Sequence, residues 1–273
     1  MIAARAFEGK QVAVLGLARS GLSAVRALSQ GGAKVRAWDD AEARRALVNI
    51  EYLADPSSLD WSKISALVLS PGIPLTHPHP HPVVLAAKAK GCTVIGDVEL
   101  FIRARQSEFA QTRLVLITGT NGKSTTTALI GHLVQQTGTP AQVGGNIGTA
   151  ILDLDVLPSN GVYVIEMSSY QLDLVDQTHA NVAILLNITP DHLDRHGGMA
   201  GYIAAKQQIF NGMAKDGVAI VGVDDTYSAS VCDQLMRQGM RVISISIENR
   251  SDTSVFVRGG QLYDSQTGQA RVI

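Results

Sequence analysis

The segment Thr118-Gly-Thr-Asn-Gly-Lys-Ser-Thr125 carries the strongest chemical signal in the chain. It follows the apolar run Arg113-Leu-Val-Leu-Ile117 and precedes Leu129, Ile130, Leu133 and Val134, which repeat at helical spacing. Glycine in such a turn lets backbone N–H groups curl around phosphate oxygens at a helix N-terminus, whose partial positive charge favours anions. Gly119, Thr120, Asn121, Gly122 and Thr125 would line that cradle, Lys123 would neutralise the terminal phosphates of a nucleotide, and Ser124 would set its hydroxyl on Mg²⁺. The general phosphate-loop pattern wants a glycine five residues before Gly122, where this chain has Ile117. The departure points to a narrower class built on Thr-Gly-Thr-Asn-Gly-Lys.

Ligands of a parallel sheet collect beyond the carboxyl ends of its strands. Glu166 closes the run Val162-Tyr-Val-Ile165, where a carboxylate completes a magnesium site beside a phosphate loop, or simply ends a strand in solvent. Asn187-Ile-Thr-Pro-Asp-His-Leu-Asp194 follows another apolar run and brings Asp191, His192 and Asp194 to the same edge, with His192 the best metal ligand among them. Lys206 sits in the middle of an apolar helical stripe formed by Tyr202, Ile209 and Met213. Two readings of it stand open: an ammonium that snorkels outward, or a functional, covalently modifiable amine whose pKa is lowered by burial.

Short β-branched runs alternating with helical patterns must position these residues, which defines an α/β protein with parallel strands. Runs at 12–16, 34–38, 66–70 and 92–95 make one small sheet. Runs at 113–117, 161–166, 182–187, 218–222 and 241–245 make a second, and the tail from Thr253 predicts antiparallel hairpins turning at Gly259-Gly260 and Thr267-Gly268. The boundary falls near 95, dividing the chain into 1–95 and 96–273. In the first unit, Gly16-Leu-Ala-Arg-Ser-Gly21 opens a helix bearing Leu22, Val25 and Leu28, and Asp39 ends the second strand. Alone this is a weak nucleotide fingerprint, able to seat a pyrophosphate near Ser20 without saying of which nucleotide. Ser70-Pro-Gly72 makes another turn at that edge, and Asn146 faces the cleft or caps a loop. His77-Pro-His-Pro-His-Pro82 carries three potential metal ligands, but its proline spacing fixes the backbone as extended and favours a surface loop.

Composition sets outer limits. Twenty-three Lys and Arg balance 24 Asp and Glu, so no global field recruits nucleic acid or an anionic membrane, and anion binding must be local. Cys92 and Cys232 form no metal-binding spacing, and no apolar stretch approaches about 18 residues, so the expectation is a cytoplasmic protein with no membrane partner.

The ordered set of motifs resembles the Mur ligase family: Gly16-Leu-Ala-Arg-Ser-Gly-Leu-Ser23, Ser70-Pro-Gly-Ile73, Gly96-Asp-Val-Glu-Leu-Phe101, Thr118 to Thr125, Gly144-Gly-Asn-Ile-Gly148, Glu166-Met-Ser-Ser-Tyr-Gln-Leu172, Asn187 to Asp194 and Tyr202-Ile-Ala-Ala-Lys206. The resemblance covers essentially the whole chain, and its Glu-Leu-Phe and Ser-Ser-Tyr-Gln-Leu segments favour the member that adds D-glutamate. It implies a Rossmann-like N-terminal domain that binds a UDP substrate, followed by a central P-loop ATPase domain. It implies amide-bond formation driven by ATP: the γ-phosphoryl passes to the carboxylate of UDP-N-acetylmuramoyl-L-alanine, and D-glutamate displaces phosphate from the acyl phosphate.

By the same resemblance, Lys123 and the 119–125 loop hold ATP, Ser124 and Glu166 one Mg²⁺, and His192 and a carbamylated Lys206 a second. Arg19, Ser20, Asp39, Asp40 and Ser70 would meet the UDP-sugar, and Asn146 the same substrate in the cleft. Asp39-Asp40-Ala41 departs from the Thr-Arg of some relatives. The resemblance also implies a third domain beyond Ile273, without which the chain binds the UDP substrate but does not complete ligation; the expected oligomeric state is a monomer. Competing readings are another Mur ligase, a folylpolyglutamate synthetase-like ligase, an NAD-dependent reductase that leaves Lys123 without a role, and a non-catalytic nucleotide-binding fragment.

Overall fold

A computed structural model describes residues 1–248, 253–266 and 271–272. The first sheet is built by β1 (Gln11–Leu15), α1 (Arg19–Gln30), β2 (Lys34–Trp38), the single turn α2 (Glu42–Arg45), β3 (Ile64–Leu69), α3 (Pro82–Ala89) and β4 (Thr93–Ile95). Its strands are parallel and ordered β2-β1-β3-β4. Because β1 has a neighbour on each side, the strand order reverses at its carboxyl end, where an open α/β sheet forms its crevice. The Gly16–Gly21 turn leaves β1 at that point.

Gly21 shows why glycine is required there. A Cβ at this position would stand 1.7 Å from the Gly16 carbonyl oxygen, so α1 can lie against the turn only without one. Alanine is better than glycine inside a helix by about 1 kcal/mol, but the clash is with backbone and outweighs that gain. Gly21→Ala is expected to lower stability by about 2–4 kcal/mol, read as an earlier urea midpoint with an unchanged slope.

The second sheet follows α4 (Asp97–Glu108). It runs through β5 (Arg113–Thr118), α5 (Lys123–Gln136), β6 (Ala141–Gly145), β7 (Val162–Glu166), α6 (Ser169–Leu172), β8 (Val182–Leu185), α7 (Leu193–His196), α8 (Met199–Gln207), β9 (Val218–Gly222), α9 (Thr226–Arg237), β10 (Val242–Ser246), β11 (Val255–Arg258), β12 (Gln261–Asp264) and β13 (Arg271–Val272). The order is β13-β12-β11-β10-β9-β8-β5-β7-β6, parallel from β6 to β11 and antiparallel from β11 to β13. The hairpin at Gly259-Gly260 forms as its turn residues require, and Thr267-Gly268 lies outside the described residues. The central strands are apolar throughout because both faces are covered. On β5, Leu114 and Leu116 enter one core while Val115 and Ile117 enter another on the opposite face.

One strand is added to the sequence expectations and two of them need correction. The strand β6 was not foreseen: Ala141-Gln-Val-Gly-Gly145 has little strand propensity, and its pairing with β7 makes it extended. On α5, Ile130 and Val134 pack inward, but Leu129 and Leu133 are more than half exposed. Finally, α8 ends at Gln207, so Ile209 lies in a following 3₁₀ turn and Met213 beyond it, and the stripe is not one helix. The His/Pro stretch is bent as well as extended, and His81 caps α3 by accepting from the Val83 N–H.

The two sheets share a core. Val12 and Val14 of β1, Phe101 of α4 and Tyr163 of β7 belong to one apolar cluster. Phe101 meets Tyr163 edge-on at 5.1 Å, so α4 joins the halves rather than floating between them. The irregular amino-terminal segment and α1 add to this, with the Ile2 N–H donating to the Leu152 carbonyl and Arg26 of α1 gripping the Asp153 carboxylate through both oxygens. No helix among the described residues is long and apolar enough to cross a membrane.

Candidate active site

The phosphate-type loop leaves β5 between β7 and β8, a second point of strand-order reversal. Gly119 and Gly122 take φ of +156° and +82°, which side chains at those positions would strain. The loop is held from the β8 side: Asn187 Oδ1 accepts from the Asn121 N–H at 2.9 Å, the Asn187 carbonyl accepts from the Thr120 N–H, and the Thr189 N–H donates to Thr120 Oγ1. The first turn of α5 begins at Lys123, with Ser124 and Thr125 exposed, so its early N–H groups have no partners within the helix. Lys123 Nζ donates to the carbonyls of Gly119 and Thr120, folded back on its own loop.

Glu166 is 1% exposed, which removes the reading of a solvated strand-end acid. Its register opposite Ile117 brings the carboxylate beside α5, where Oε2 accepts from Ser124 Oγ at 2.7 Å and Oε1 from Asn146 Nδ2 at 2.8 Å. Lys206 is equally buried and does not snorkel. Its Nζ donates to the Gly119 carbonyl at 2.8 Å and lies 4.7 Å from the Tyr202 ring. Burial first, then the neighbouring Lys123 ammonium, pull its pKa down to about 7, with Asp191 opposing.

A cavity of about 300 Å³ opens between the two sheets, lined among others by Lys123, Asn146, Tyr170, His192, Tyr202 and Lys206. Pro71 and Gly72 close it from the first sheet's side. His192 is half exposed, at φ +51°, with Nε2 3.4 Å from Asp191 Oδ2 and its ring 5.1 Å from that of Tyr170. Ser124 and Glu166 stand outside this lining, paired with each other. Among the described residues no group of three or more His, Cys, Asp or Glu side chains forms a ready metal cage. A Ser hydroxyl beside one carboxylate suits Mg²⁺, which keeps several waters and takes oxygen from bound phosphates.

Around the first sheet, Ser70 Oγ donates to the Gly16 carbonyl, tying the two turns of the crevice together. Asp39 is buried and accepts from the N–H groups of Leu17 and Ala41. Burial opposes ionisation, but these bonds and Arg44 together hold its carboxyl below the usual range. Its oxygens therefore brace the glycine turn. Asp40 is exposed, 3.5 Å from His81 Nε2, and Ser20 is half-buried in the first turn of α1. Arg19 reaches across to the second sheet, donating to the carbonyls of Asn146 and Gly148 at 2.8 Å each.

Two contributors escaped the sequence reading. Asn187 clamps the phosphate loop, and Arg195 spans the cleft, donating to the carbonyls of Gly72 and Pro71 while its guanidinium covers the Tyr170 ring at 4.5 Å. Arg195 lies three residues after His192, and that spacing was the available hint.

Residues 117–272 match the model of the Mur ligase middle domain, and residues 10–96 that of the MurD-like N-terminal domain of Mur ligases. The chain belongs to the Mur ligase family. It is 50% identical over 274 residues to the UDP-N-acetylmuramoylalanine--D-glutamate ligase of Caulobacter sp. (strain K31), covering 98% of this chain and 58% of that protein. The ligase of the same name from Phenylobacterium zucineum (strain HLK1) is 45% identical over 278 residues, with 100% and 59% covered. The chain thus spans about 58% of the length of such relatives. Its fold is similar to that of the UDP-N-acetylmuramate:L-alanyl-gamma-D-glutamyl-meso-diaminopimelate ligase from Neisseria meningitides, with TM-score 0.55, 14% identity, and 96% of this chain and 85% of that one covered. The murein peptide ligase of Psychrobacter arcticus aligns at TM-score 0.52 and 15% identity over 97% of this chain and 61% of its own.

Proposed function

We propose that this chain carries the UDP-substrate and ATP sites of an ATP-dependent amide ligase that adds D-glutamate to UDP-N-acetylmuramoyl-L-alanine. Residues 1–95 form the UDP-substrate unit and 96–273 the ATP unit, in a monomeric, cytoplasmic protein. The observation that carries the reading is the meeting of Lys123, Asn146, His192 and Lys206 around one cavity, at the carboxyl ends of both sheets.

The chemistry follows from a leaving-group problem. A carboxylate oxygen does not leave, and phosphoryl transfer from ATP, assisted by Mg²⁺, turns it into phosphate, which does. The chain's own residues supply position and charge. Lys123 swings from its loop carbonyls to the β/γ-phosphates while Gly119 to Thr125 cradle them. Ser124 and Glu166 would hold the first Mg²⁺, and His192 with a carbamylated Lys206 would hold the second. A pKa near 7 leaves a large share of Lys206 neutral at physiological pH, and the neutral amine is the form that adds CO₂. Arg19, Ser20, Asp39, Asp40 and Ser70 receive the UDP end, Asp39 by bracing the turn, and Asn146 meets the substrate in the cleft.

Calorimetric titration of the purified chain tests the reading. UDP-N-acetylmuramoyl-L-alanine is expected to bind, at least tenfold more weakly to Arg19→Ala, while NAD does not bind. Binding of NAD in its place would overturn it.

A further inference from the structure

Ser169, His196 and Asp173 form a hydrogen-bonded chain in the wall of the cleft that the ligase reading leaves without a role. Ser169 Oγ lies 2.9 Å from His196 Nε2, and His196 Nδ1 lies 3.2 Å from Asp173 Oδ2. The carboxylate at Nδ1 makes that nitrogen the N–H donor, so Nε2 is left to accept from the Ser169 hydroxyl. The imidazole is 2% exposed, stacked on Tyr170 at 5.4 Å with an 18° tilt and bordered by Tyr202 at 5.4 Å, which fixes its plane. Ser169 lines the same 300 Å³ cavity as Lys123, whose ammonium places positive charge there. Asp173 reaches the surface with a side chain 29% exposed.

A serine hydroxyl, a base within reach of it, and a carboxylate orienting that base are the parts of an activated nucleophile, recognised by geometry and not by sequence order. The geometry points to a second activity of this cleft: acyl transfer to Ser169 from an activated carboxyl group, an ester or a mixed carboxylic–phosphoric anhydride, followed by hydrolysis. Oγ attacks the carbonyl carbon and its proton passes to His196 Nε2. The tetrahedral adduct collapses, the bond from carbon to the leaving oxygen breaks, and the leaving group departs with that proton, or as its anion while His196 passes the proton to solvent, so that His196 is the free base again. Water then attacks the acyl-serine with His196 again taking the proton, which returns to Oγ as the free acid leaves. No oxidant, reductant or metal is required. In a cleft that makes an acyl phosphate, such a centre would discharge it when no amine arrives, and that part alone rests on the ligase reading.

A fluorophosphonate probe tests the centre directly, because attack by Oγ expels fluoride and leaves a stable adduct. Intact-mass and peptide analysis of the whole chain is expected to show one adduct, on Ser169, and none in Ser169→Ala. His196→Gln should slow labelling by about 10²-fold or more, the usual range for losing a general base. Asp173→Asn, at a partly exposed position that leaves the core intact, should slow it at least tenfold and lower p-nitrophenyl acetate hydrolysis in parallel. Absence of a Ser169 adduct in the folded chain, or labelling of Asp173→Asn at the unaltered rate, overturns the proposal. Titration with UDP-N-acetylmuramoyl-L-alanine on the same samples separates this outcome from failure of the ligase reading, since serine labelling needs no nucleotide.

Discussion

Lys206→Met is expected to raise the melting temperature at pH 6 and to lose that advantage as the pH approaches 10.5. The Lys206 side chain is 1% exposed, and its ammonium has the Gly119 carbonyl and the Tyr202 ring for company. Burial and the Lys123 ammonium pull its pKa from 10.5 to about 7. Below pH 7 both the folded and unfolded chains carry this proton, and the folded chain bears the full penalty of a buried charge. Between about 7 and 10.5 the unfolded chain still holds the proton while the folded one has shed it, so stability rises with pH across that window. One pKa unit corresponds to about 1.4 kcal/mol, which puts the penalty at a few kcal/mol.

Methionine keeps the length and apolar bulk and removes the charge, and the Gly119 carbonyl retains Lys123 Nζ at 2.9 Å as a donor. A gain of about 5–10 °C at pH 6 follows, at roughly 2–4 °C per kcal/mol for a chain of this size. Thermal melts from pH 6 to 10.5 on both proteins check it, and a lower melting temperature for Lys206→Met at pH 6 would show the ammonium to be stabilising. Bicarbonate supplies the complementary readout. Carbamylation replaces a buried cation with an anion beside Lys123, so bicarbonate should stabilise the parent chain, add the mass of CO₂ to it, and leave Lys206→Met unchanged.

Lys206 also shows how far the sequence could be read. An amine within an apolar pattern marks a position to question whatever the detailed helix boundaries, but the pattern left snorkelling and burial both open, and only the packing of α8 against the phosphate loop decides for burial. The apolar runs of β1, β3, β5, β7, β8 and β9 were legible, since strands covered on both faces must be apolar throughout. Interactions between distant segments were not. The glycines of β6 conceal a strand that only its neighbour specifies, and Asn187 becomes a clamp only once β8 lies beside β5. Asp39 looked like a ligand-binding acid from its place at a strand end, yet its oxygens are occupied by Leu17 and Ala41. Ser169 and Asp173 stand one helical turn apart at the two ends of α6, but His196 comes from α7, and the two helices must pack together before the three residues form anything.

Glu166→Gln is expected to abolish the Mg²⁺-dependent part of nucleotide binding while leaving the fold unchanged or slightly stabilised. Both carboxylate oxygens are occupied by neutral donors, Ser124 Oγ at 2.7 Å and Asn146 Nδ2 at 2.8 Å. Among the described residues no basic side chain is bonded to it, so a buried anion here lacks the compensation that ion pairing would give. Glutamine has the same shape: its oxygen still accepts from Asn146, and its amide donates to Ser124 Oγ in place of accepting. Stability therefore has little to lose and the charge penalty to gain, which makes a purely structural role a poor account of a carboxylate at this position. A divalent cation changes the balance, because Ser124 Oγ and Glu166 Oε2 already converge at the N-terminus of α5, where phosphates would supply the remaining oxygens. Titrating ATP into each protein with and without Mg²⁺ separates the two roles. The parent chain should gain affinity with Mg²⁺, and Glu166→Gln should lose about 10²-fold of it, in keeping with removal of a charged ligand worth roughly 3 kcal/mol. If Mg²⁺ strengthens ATP binding equally in both proteins, Glu166 is not a metal ligand, and its buried charge then serves only to hold Asn146 and Ser124 at the mouth of the phosphate loop.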